Sequence, residues 1–326
     1  MRLKTVNKRI GKQFFPFVAE FFKDDENLAE DVKATAFVAG GAIASLLHYR
    51  KINDLDIYFT DPDVLVRVCN YCLARIPGPK PGDVKNIGAT VKRDGDDISI
   101  YIPSAGVEGG EDGRGDYTFF EQRPSGQADE FLDTITSGED VDTMADLYGD
   151  ELAAEINAPT VEHLTPAPSD ARYKVLMVTA NAISISNGIQ IVVRFNGKPS
   201  EVVKEFDFEH TKAYWMPKHG LTIGKAALEC LLTKELRYTG TRYPLCAMFR
   251  VRKFLHREWS ITAGELLKIG FDISQLDLTN FETLKDQLVG VDTAYFSQLL
   301  SLISKDSKQG EIDRSYVVGL IDRIFN

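Results

Sequence analysis

The sequence has few of the residues that mark disulfide-rich or membrane proteins. Four cysteines in 326 residues are too few for a disulfide framework. No long apolar run follows the basic amino-terminal stretch at residues 1–12. We therefore expect neither a signal peptide nor a membrane span, and a reducing cytoplasm suits the cysteine content.

Several common catalytic and binding patterns are also missing from the sequence. It contains no Walker-type phosphate loop, which argues against ATP hydrolysis by that route, and no Ser-His-Asp or Cys-His arrangement. Cys69 and Cys72 form a C-x-x-C motif within a predicted helix, without a second pair or a histidine cluster. Core packing is therefore favoured over a metal or redox role for these cysteines.

Residues 37–59 combine a glycine pair with an aspartate pair. The segment FVAGGAIASLLHYRKINDLDIYF predicts a strand, then Gly40 and Gly41, then a short apolar helix, then a second strand with Asp54 and Asp56. Glycines permit close approach of the backbone to a ligand, and the first N–H groups of a helix attract anions. This order of parts therefore favours a phosphate-binding turn.

The two aspartates are predicted to leave the same face of their strand. Side chains alternate along a strand, so Asp54 and Asp56 share one face while Leu55 and Ile57 point into the core. Two close carboxylates repel each other and raise each other's pKa unless a cation lies between them. Mg²⁺ or Mn²⁺, which bind oxygen ligands and phosphates, are the expected metal cofactors.

The segment from Gly40 to Asp56 resembles the head motif of polymerase-β superfamily nucleotidyltransferases. It is most similar to the tRNA nucleotidyltransferase and poly(A) polymerase branch, G-G-x-x-R-D followed by D-x-D, although Ala44 and Ser45 stand where Arg-Asp is expected. The segments FDFEHTKAYW and RYPLCAMFRVRKF, with most of the remaining chain, resemble nucleotidyltransferases predicted in bacteriophages. The resemblance implies an α+β fold, a polymerase-β-like mixed sheet with helices followed by a mostly helical carboxy-terminal domain, and the host cytoplasm as location.

The expected domains are a catalytic domain at 1–215 and a helical domain at 216–326. The segment 104–170 contains seventeen acidic and two basic residues, a local charge of −15, and is predicted to be an acidic, partly flexible insertion with short helices at ADEFLDTI and DTMADLYGDELAAEI. It is either a solvated loop or a cover over a basic groove that competes with a polyanion.

Turn signals predict further elements around this insertion. Asp94 and Gly95 indicate a hairpin within residues 89–102, and Asn187 with Gly188 indicates another within 174–195. A short helix is predicted from Pro199 to Lys204, and a helical pattern from Leu221 onward. Within that pattern a helix is expected to open at Ser260, and later helices are expected at 280–288, 292–303 and 312–324.

Sites that resemble polymerase-β need a third carboxylate on a neighbouring strand, and Asp207 is the predicted one. A buried acid between two phenylalanines is costly without a cation or hydrogen-bond donors. The alternative reading is a turn-capping Asp207 whose aromatic neighbours pack the core. Glu209 and Asp97 are the substitutes, and His210 is a weaker candidate for a phosphate donor.

The predicted nucleotide contacts combine the glycine turn with the basic helical half. They are Gly40, Gly41, Ser45, Arg250 and Lys253. Residues 212–257 contain ten Lys or Arg against two acidic residues, with aromatic residues between them. Such a surface suits a triphosphate or an RNA end, although basic helical faces are often only solvated.

The predicted function is transfer of a nucleoside monophosphate from ATP or another NTP to an acceptor hydroxyl, with release of pyrophosphate. The basic helical half favours an RNA or tRNA 3′ end as acceptor, with a protein or small molecule as the alternative. An inactive nucleotide- or RNA-binding protein on the same scaffold and a structural protein of a phage particle are the other classes. No membrane partner is expected.

Overall fold

The computed structural model describes most of the chain. The described residues are 3–50, 52, 54–76, 89–101, 171–179, 181–280, 283–284, 287 and 313–325. They form two compact units: unit 1 takes its described residues from 3–204 and 213–223, and unit 2 from 205–212 and 224–325. Each unit is described by itself below.

The described part of the chain contains both helices and strands. The helices are α1 (Leu3–Phe21), α2 (Glu26–Thr35), α3 (Gly41–Leu47), α4 (Pro62–Leu73), α5 (Pro199–Val202), α6 (Lys225–Thr233), α7 (Pro244–His256), α8 (Ala263–Ser274) and α9 (Arg314–Phe325). The strands are β1 (Ala36–Ala39), β2 (Leu55–Phe59), β3 (Thr90–Asp94), β4 (Asp97–Tyr101), β5 (Val175–Val178), β6 (Ala182–Ile185), β7 (Ile189–Asn196), β8 (Ala213–Met216), β9 (Gly220–Ile223), β10 (Glu235–Leu236) and β11 (Ser260–Ile261).

Unit 1 is built on a seven-stranded sheet in the order β5-β6-β7-β2-β1-β8-β9. Strands β2 and β7 pair in parallel, and each other neighbouring pair in this sheet is antiparallel. The sheet is therefore mixed, and helices pack with it, so the predicted α+β class is confirmed.

One face of this sheet carries the core of unit 1. Leu55 and Ile57 of β2 are fully buried there, as are Ile191 and Val193 of β7. Helix α1 contributes apolar side chains that recur three or four residues apart, as an amphipathic helix requires. They are Val6, Ile10, Phe14, Phe17 and Phe21.

Both hairpins predicted from turn residues are present. Asn187 and Gly188 have φ values of 64° and 62°, as a tight turn between β6 and β7 requires. Asp94 pairs with Asp97 across the turn between β3 and β4. These pairings confirm both hairpins, because a short turn sets the register of the strands beside it.

Two predictions of helix were wrong at their edges. Residues Leu221 to Ile223 extend strand β9, because Gly220, with a φ of 72°, turns the chain back along β8. Ser260 lies in β11, which pairs in parallel with β10, and Thr262 rather than Ser260 caps the next helix by accepting from the Glu265 N–H. Pairing with a distant segment overrode the local helical pattern in both places, and also at β10, which lies within the segment predicted to be helical from Leu221 onward.

The remaining helices of the basic half follow the predicted pattern. Helices α6, α7, α8 and α9 occupy the segments expected to be helical, and a short helix begins at Pro199. The acidic insertion with its two predicted helices, and the helix predicted at 292–303, lie outside the described residues; the helix predicted at 280–288 is described only in part. Among the described helices, none has the length and apolar character that a membrane crossing requires.

Candidate active site

The turn between β1 and α3 depends on Gly40. This residue precedes α3 with φ 88° and ψ −150°, a conformation that is essentially restricted to glycine. Ile43 and Leu46 bury the inner face of α3 and so hold the helix in place. Gly41 is exposed, and a Cβ at this position would meet no heavy atom within 4 Å. Open space therefore lies in front of the first residue of α3.

The aspartate pair lies on the face of the sheet opposite the core. Leu55 and Ile57 are fully buried on the core face, so the alternation of β2 turns Asp54 and Asp56 to the other face. Asp54 is exposed and Asp56 is half-buried. Tyr58 continues the same face and stacks on Phe37 of β1, with ring centroids 5.3 Å apart.

The register of β1 and β2 brings the two glycines to the same end of the sheet as the aspartates. Val38 pairs with Ile57 in an antiparallel ladder, so the carboxyl end of β1 lies beside the amino end of β2. Gly40 follows β1 directly, and Asp54 precedes β2 directly. Ser45 is half-buried on α3, four residues after Gly41 and therefore on the same face of the helix.

The sequence did not identify a glutamine that lies beside Asp56 on the neighbouring strand β7. Gln190 of β7 is the register partner of Asp56, and Ser184 of β6 is in turn the partner of Gln190. Ile189 and Ile191 point into the core, so Gln190 shares the face of Asp56. Nothing in the local pattern of β7 could have identified this neighbour, because strand order is not readable from the sequence.

In unit 2, Asp207 forms an ion pair with Arg250. The Asp207 carboxylate is nearly buried and accepts a hydrogen bond from Nη1 of Arg250 on α7 at 2.5 Å. Lys253 lies three residues further along α7, hence on a neighbouring part of the same face. The Arg250 guanidinium therefore supplies both the cation and the hydrogen-bond donor, either of which was expected beside this buried acid. The role of Asp207 as a third metal ligand stays a prediction.

Backbone contacts hold the Asp207 segment in place. The Asp207 carbonyl accepts from the Thr239 N–H at 2.9 Å, and the Phe206 carbonyl accepts from the Thr239 hydroxyl at 2.8 Å. Phe208 forms an isolated bridge with Tyr238. The position of the Asp207 side chain is thus fixed by its backbone as well as by Arg250.

The other predicted candidates have different surroundings. His210 is fully buried between aromatic rings, 4.5 Å from Phe254 and 4.4 Å from Trp259 by ring centroids. Glu209 lies 3.9 Å from Lys212. Asp97 is exposed at the β3–β4 turn, which Asn196 contacts at the far end of β7.

Burial raises the pKa of several described cysteines and tyrosines. Burial raises the pKa of the Cys69 thiol to about 12, which keeps it protonated in the core. Burial is the main cause that raises the pKa of the Tyr238 phenol, and the hydrogen bond to Asp272 raises it further. All four cysteines are free and buried. Within the described part of the chain, no three His, Cys, Asp or Glu side chains converge as a metal site.

Comparison with protein families gives one match. Residues 8–234 match the model described as Gad2: Gabija anti-defense 2 family protein. This segment is more than half of the chain and includes the glycine turn, Asp54, Asp56 and Asp207. The comparison with curated proteins finds no match.

Solved structures of CCA-adding enzymes are similar to the chain at low identity. The Thermotoga maritima CCA-adding enzyme complexed with tRNA matches at 12% identity and a TM-score of 0.39, over 90% of this chain and 50% of that one. The Bacillus stearothermophilus CCA-adding enzyme in complex with CTP matches at 12% identity and a TM-score of 0.32, over 74% of this chain and 41% of that one. This chain thus spans about half the length of the solved structures it matches. Since these TM-scores are low, function has to be argued from the site itself.

Proposed function

We propose that this chain, which belongs to the Gabija anti-defense 2 family, transfers a nucleoside monophosphate from a nucleoside triphosphate to an acceptor hydroxyl. The acceptor oxygen forms a bond to the α-phosphorus, and the bond from that phosphorus to the oxygen bridging to the β-phosphate breaks. Pyrophosphate leaves, and a carboxylate of the site or solvent takes the hydroxyl proton.

The aspartate pair beside the glycine turn carries this proposal. Asp54 and Asp56 leave one face of the sheet at the end where Gly40 and Gly41 follow the neighbouring strand. Two carboxylates at this spacing are stabilised as anions by a divalent cation, and Mg²⁺ or Mn²⁺ binds phosphate oxygens as well. The donor set therefore fits a metal that is shared between protein and nucleotide.

Each residue of the site has a definable task in this reaction. Asp54 and Asp56 would hold the ion, which when bound would neutralise phosphate charge and favour in-line attack on the α-phosphate. The phosphates would lie beside Gly41, because the space that a Cβ would enter at this position is open, and the first backbone N–H groups of α3 would donate to them. Ser45, one turn further along α3, would donate its hydroxyl.

An RNA or tRNA 3′ end is the first candidate acceptor. Arg250 and Lys253 lie three residues apart on α7, within a segment that has a local charge of +8 over residues 212–257. Arginine and lysine on one helix face suit phosphates, and aromatic side chains between them suit stacking on bases.

A protein acceptor is the second candidate, and the family description favours it. A protein that counteracts a defence system gains by modifying a component of that system covalently. One added nucleotide places a phosphate charge and a bulky base on the surface of its acceptor, which disrupts contacts by repulsion and by size.

A labelling experiment tests the proposal and distinguishes the acceptors. The purified protein is incubated with each α-labelled NTP, with Mg²⁺ or Mn²⁺, and with host RNA and host protein in separate reactions. We expect label on one macromolecule class together with release of pyrophosphate. Asp54→Asn and Asp56→Asn should abolish both signals, because each removes one of two charges that hold the ion.

Asp31→Asn is the matched control for these variants. Asp31 is an aspartate of unit 1 in a surface ion pair with Arg67, so its loss should leave labelling unchanged. Absence of label and of pyrophosphate under every condition would remove the transferase function and favour a nucleotide-binding protein on the same scaffold.

A further inference from the structure

Asp56 is the one acidic residue within the seven strands of the large sheet, all of which lie in the described part of the chain. Asp54 directly precedes the same strand. The strands beside β2 are β1 and β7, and neither contains a carboxylate. The third donor of the metal site proposed above is therefore not an acid on a neighbouring strand.

Gln190 occupies the neighbouring position on β7. It is the register partner of Asp56 in the parallel pair of β2 and β7, and such strands lie about 4.8 Å apart. Its neighbours Ile189 and Ile191 are 2% and 0% exposed on the core face. Alternation therefore directs Gln190 to the face that carries Asp56, and both side chains are half-buried there.

The other positions around Asp56 on this face offer poorer donors. On β1 the next position after Val38, which pairs with Ile57, is Ala39, and alanine has no side-chain oxygen. On β6 the partner of Gln190 is Ser184, one strand further from Asp56.

Asp207, predicted as the third carboxylate, and its substitutes Glu209 and Asp97 are engaged with a cation or lie further along the sheet; Glu209 lies 3.9 Å from Lys212. Asp207 accepts a hydrogen bond from Arg250. Asp97 lies at the turn that contacts Asn196, which pairs with Phe59, three residues beyond Asp56 and hence about 10 Å along β2.

We propose that the amide oxygen of Gln190 is the third protein donor to the metal site, which then holds one divalent cation between two carboxylates and one neutral oxygen. This inference rests on the function proposed above, because it concerns the same site. Amide carbonyls of Gln and Asn are ordinary ligands of oxygen-seeking cations. Two carboxylates balance one divalent charge, whereas a third would leave an excess negative charge that attracts a second ion. The site therefore needs only one metal, with the remaining ligands from water and phosphate.

Mn²⁺ binding to the full chain without nucleotide tests this inference independently of activity. Titration followed by electron paramagnetic resonance of free Mn²⁺ gives both affinity and stoichiometry. We expect one Mn²⁺ per wild-type chain. Gln190→Ala should weaken binding several-fold, and Gln190→Glu should tighten it tenfold or more, because ligand charge sets cation affinity.

Ser184→Glu is the matched control. It adds the same charge to the same face and the same row of side chains, one strand further from Asp56, so it should tighten Mn²⁺ binding far less than Gln190→Glu. Equal tightening by the two variants, unchanged affinity in Gln190→Ala, or two Mn²⁺ per wild-type chain would each overturn the role of Gln190.

Failure of this inference is distinguishable from failure of the proposed function. If Asp56→Asn loses Mn²⁺ while the Gln190 variants bind as the wild type does, the aspartate site stands and the role of Gln190 falls. If Asp56→Asn binds Mn²⁺ as the wild type does, or if the wild type itself binds no Mn²⁺, both the aspartate site and the role of Gln190 are contradicted.

Discussion

Asp207 and Arg250 form a pair with one buried and one half-exposed partner. The side chain of Asp207 is 8% exposed and that of Arg250 is 41% exposed. Desolvation of a carboxylate is expensive, and a guanidinium that donates to it offsets this cost. Water still reaches Arg250, which limits the net contribution of the pair. At the scale of single residues, this pair explains how an acid between two phenylalanines is tolerated without a metal.

We expect Asp207→Asn to lower the free energy of unfolding by about 1–3 kcal/mol, because a charged hydrogen bond is lost. Urea unfolding measures this change. A double-mutant cycle with Arg250→Met isolates the coupling between the two side chains. Unchanged stability together with loss of Mn²⁺ binding would instead identify Asp207 as the third metal ligand.

Tyr238 makes stability depend on pH at the alkaline end. Its hydroxyl donates to Asp272 at 2.7 Å, and burial with this hydrogen bond raises the pKa of the phenol above its ordinary value of 10.0. The folded state therefore holds the proton more tightly than the unfolded state. The resulting stability is fully present below about pH 10 and is lost as pH rises further.

We expect the free energy of unfolding of the wild type to fall more steeply above about pH 10 than that of Tyr238→Phe, which lacks the titrating group. Chemical unfolding at a series of pH values measures both slopes. Tyr49→Phe changes a tyrosine that is 73% exposed and serves as control. Parallel slopes for the wild type and Tyr238→Phe would contradict the assignment.

The common face of Asp54 and Asp56 could be predicted because strand alternation is a local property. The ion pair of Asp207 and the proximity of Gln190 to Asp56 could not. Both depend on which distant segments pair, and pairing is decided by the packing of the whole core. A buried acid indicated that some cation was needed, but not whether it was a metal or Arg250.

Among the helices and strands, the hairpins could be predicted, because their turn residues favour one backbone conformation. Asn187 and Gly188 specify a tight hairpin by conformation alone. Strands β9 and β11 were missed because each takes its shape from a partner, β8 and β10 respectively. Helix α1 was also not predicted, although its buried apolar residues recur with a helical period; only the basic charge of this segment was interpreted.

The two glycines before and at the start of α3 should differ in what they contribute. We expect Gly40→Ala to lower the free energy of unfolding by about 1–3 kcal/mol, because a Cβ is strained at φ 88° and ψ −150°. Gly41→Ala should leave stability unchanged or raise it by up to about 1 kcal/mol, because alanine favours the helix. Thermal and urea unfolding measure both effects.

The same two variants separate folding from nucleotide binding. A Cβ at Gly41 points into open space, where the phosphates are proposed to lie, so Gly41→Ala should weaken NTP binding while remaining fully folded. Calorimetric titration with an NTP and Mg²⁺ measures this loss. Full NTP affinity in Gly41→Ala would move the phosphates away from this turn.

At the scale of the whole molecule, the net charge of −10 combines regions of opposite sign. Residues 104–170 carry a local charge of −15, and residues 212–257 carry +8. A polyanion would therefore be attracted to one part of the sequence and repelled by another, with both effects screened by salt. Asp54 and Asp56 at the proposed metal site would attract cations locally, which the net charge of the whole chain does not indicate.

Binding of a cation to this pair must stabilise the folded chain, since the unfolded chain does not hold Asp54 and Asp56 together. At a Mn²⁺ concentration of one hundred times Kd, linkage raises the free energy of unfolding by about 2.7 kcal/mol. We expect this gain in the wild type and in Asp31→Asn, but not in Asp56→Asn. Hydrogen exchange should show the added protection in β1, which precedes the glycine turn, and in β2, which carries Asp56. Equal stabilisation of Asp56→Asn would mean that Mn²⁺ binds elsewhere on the chain.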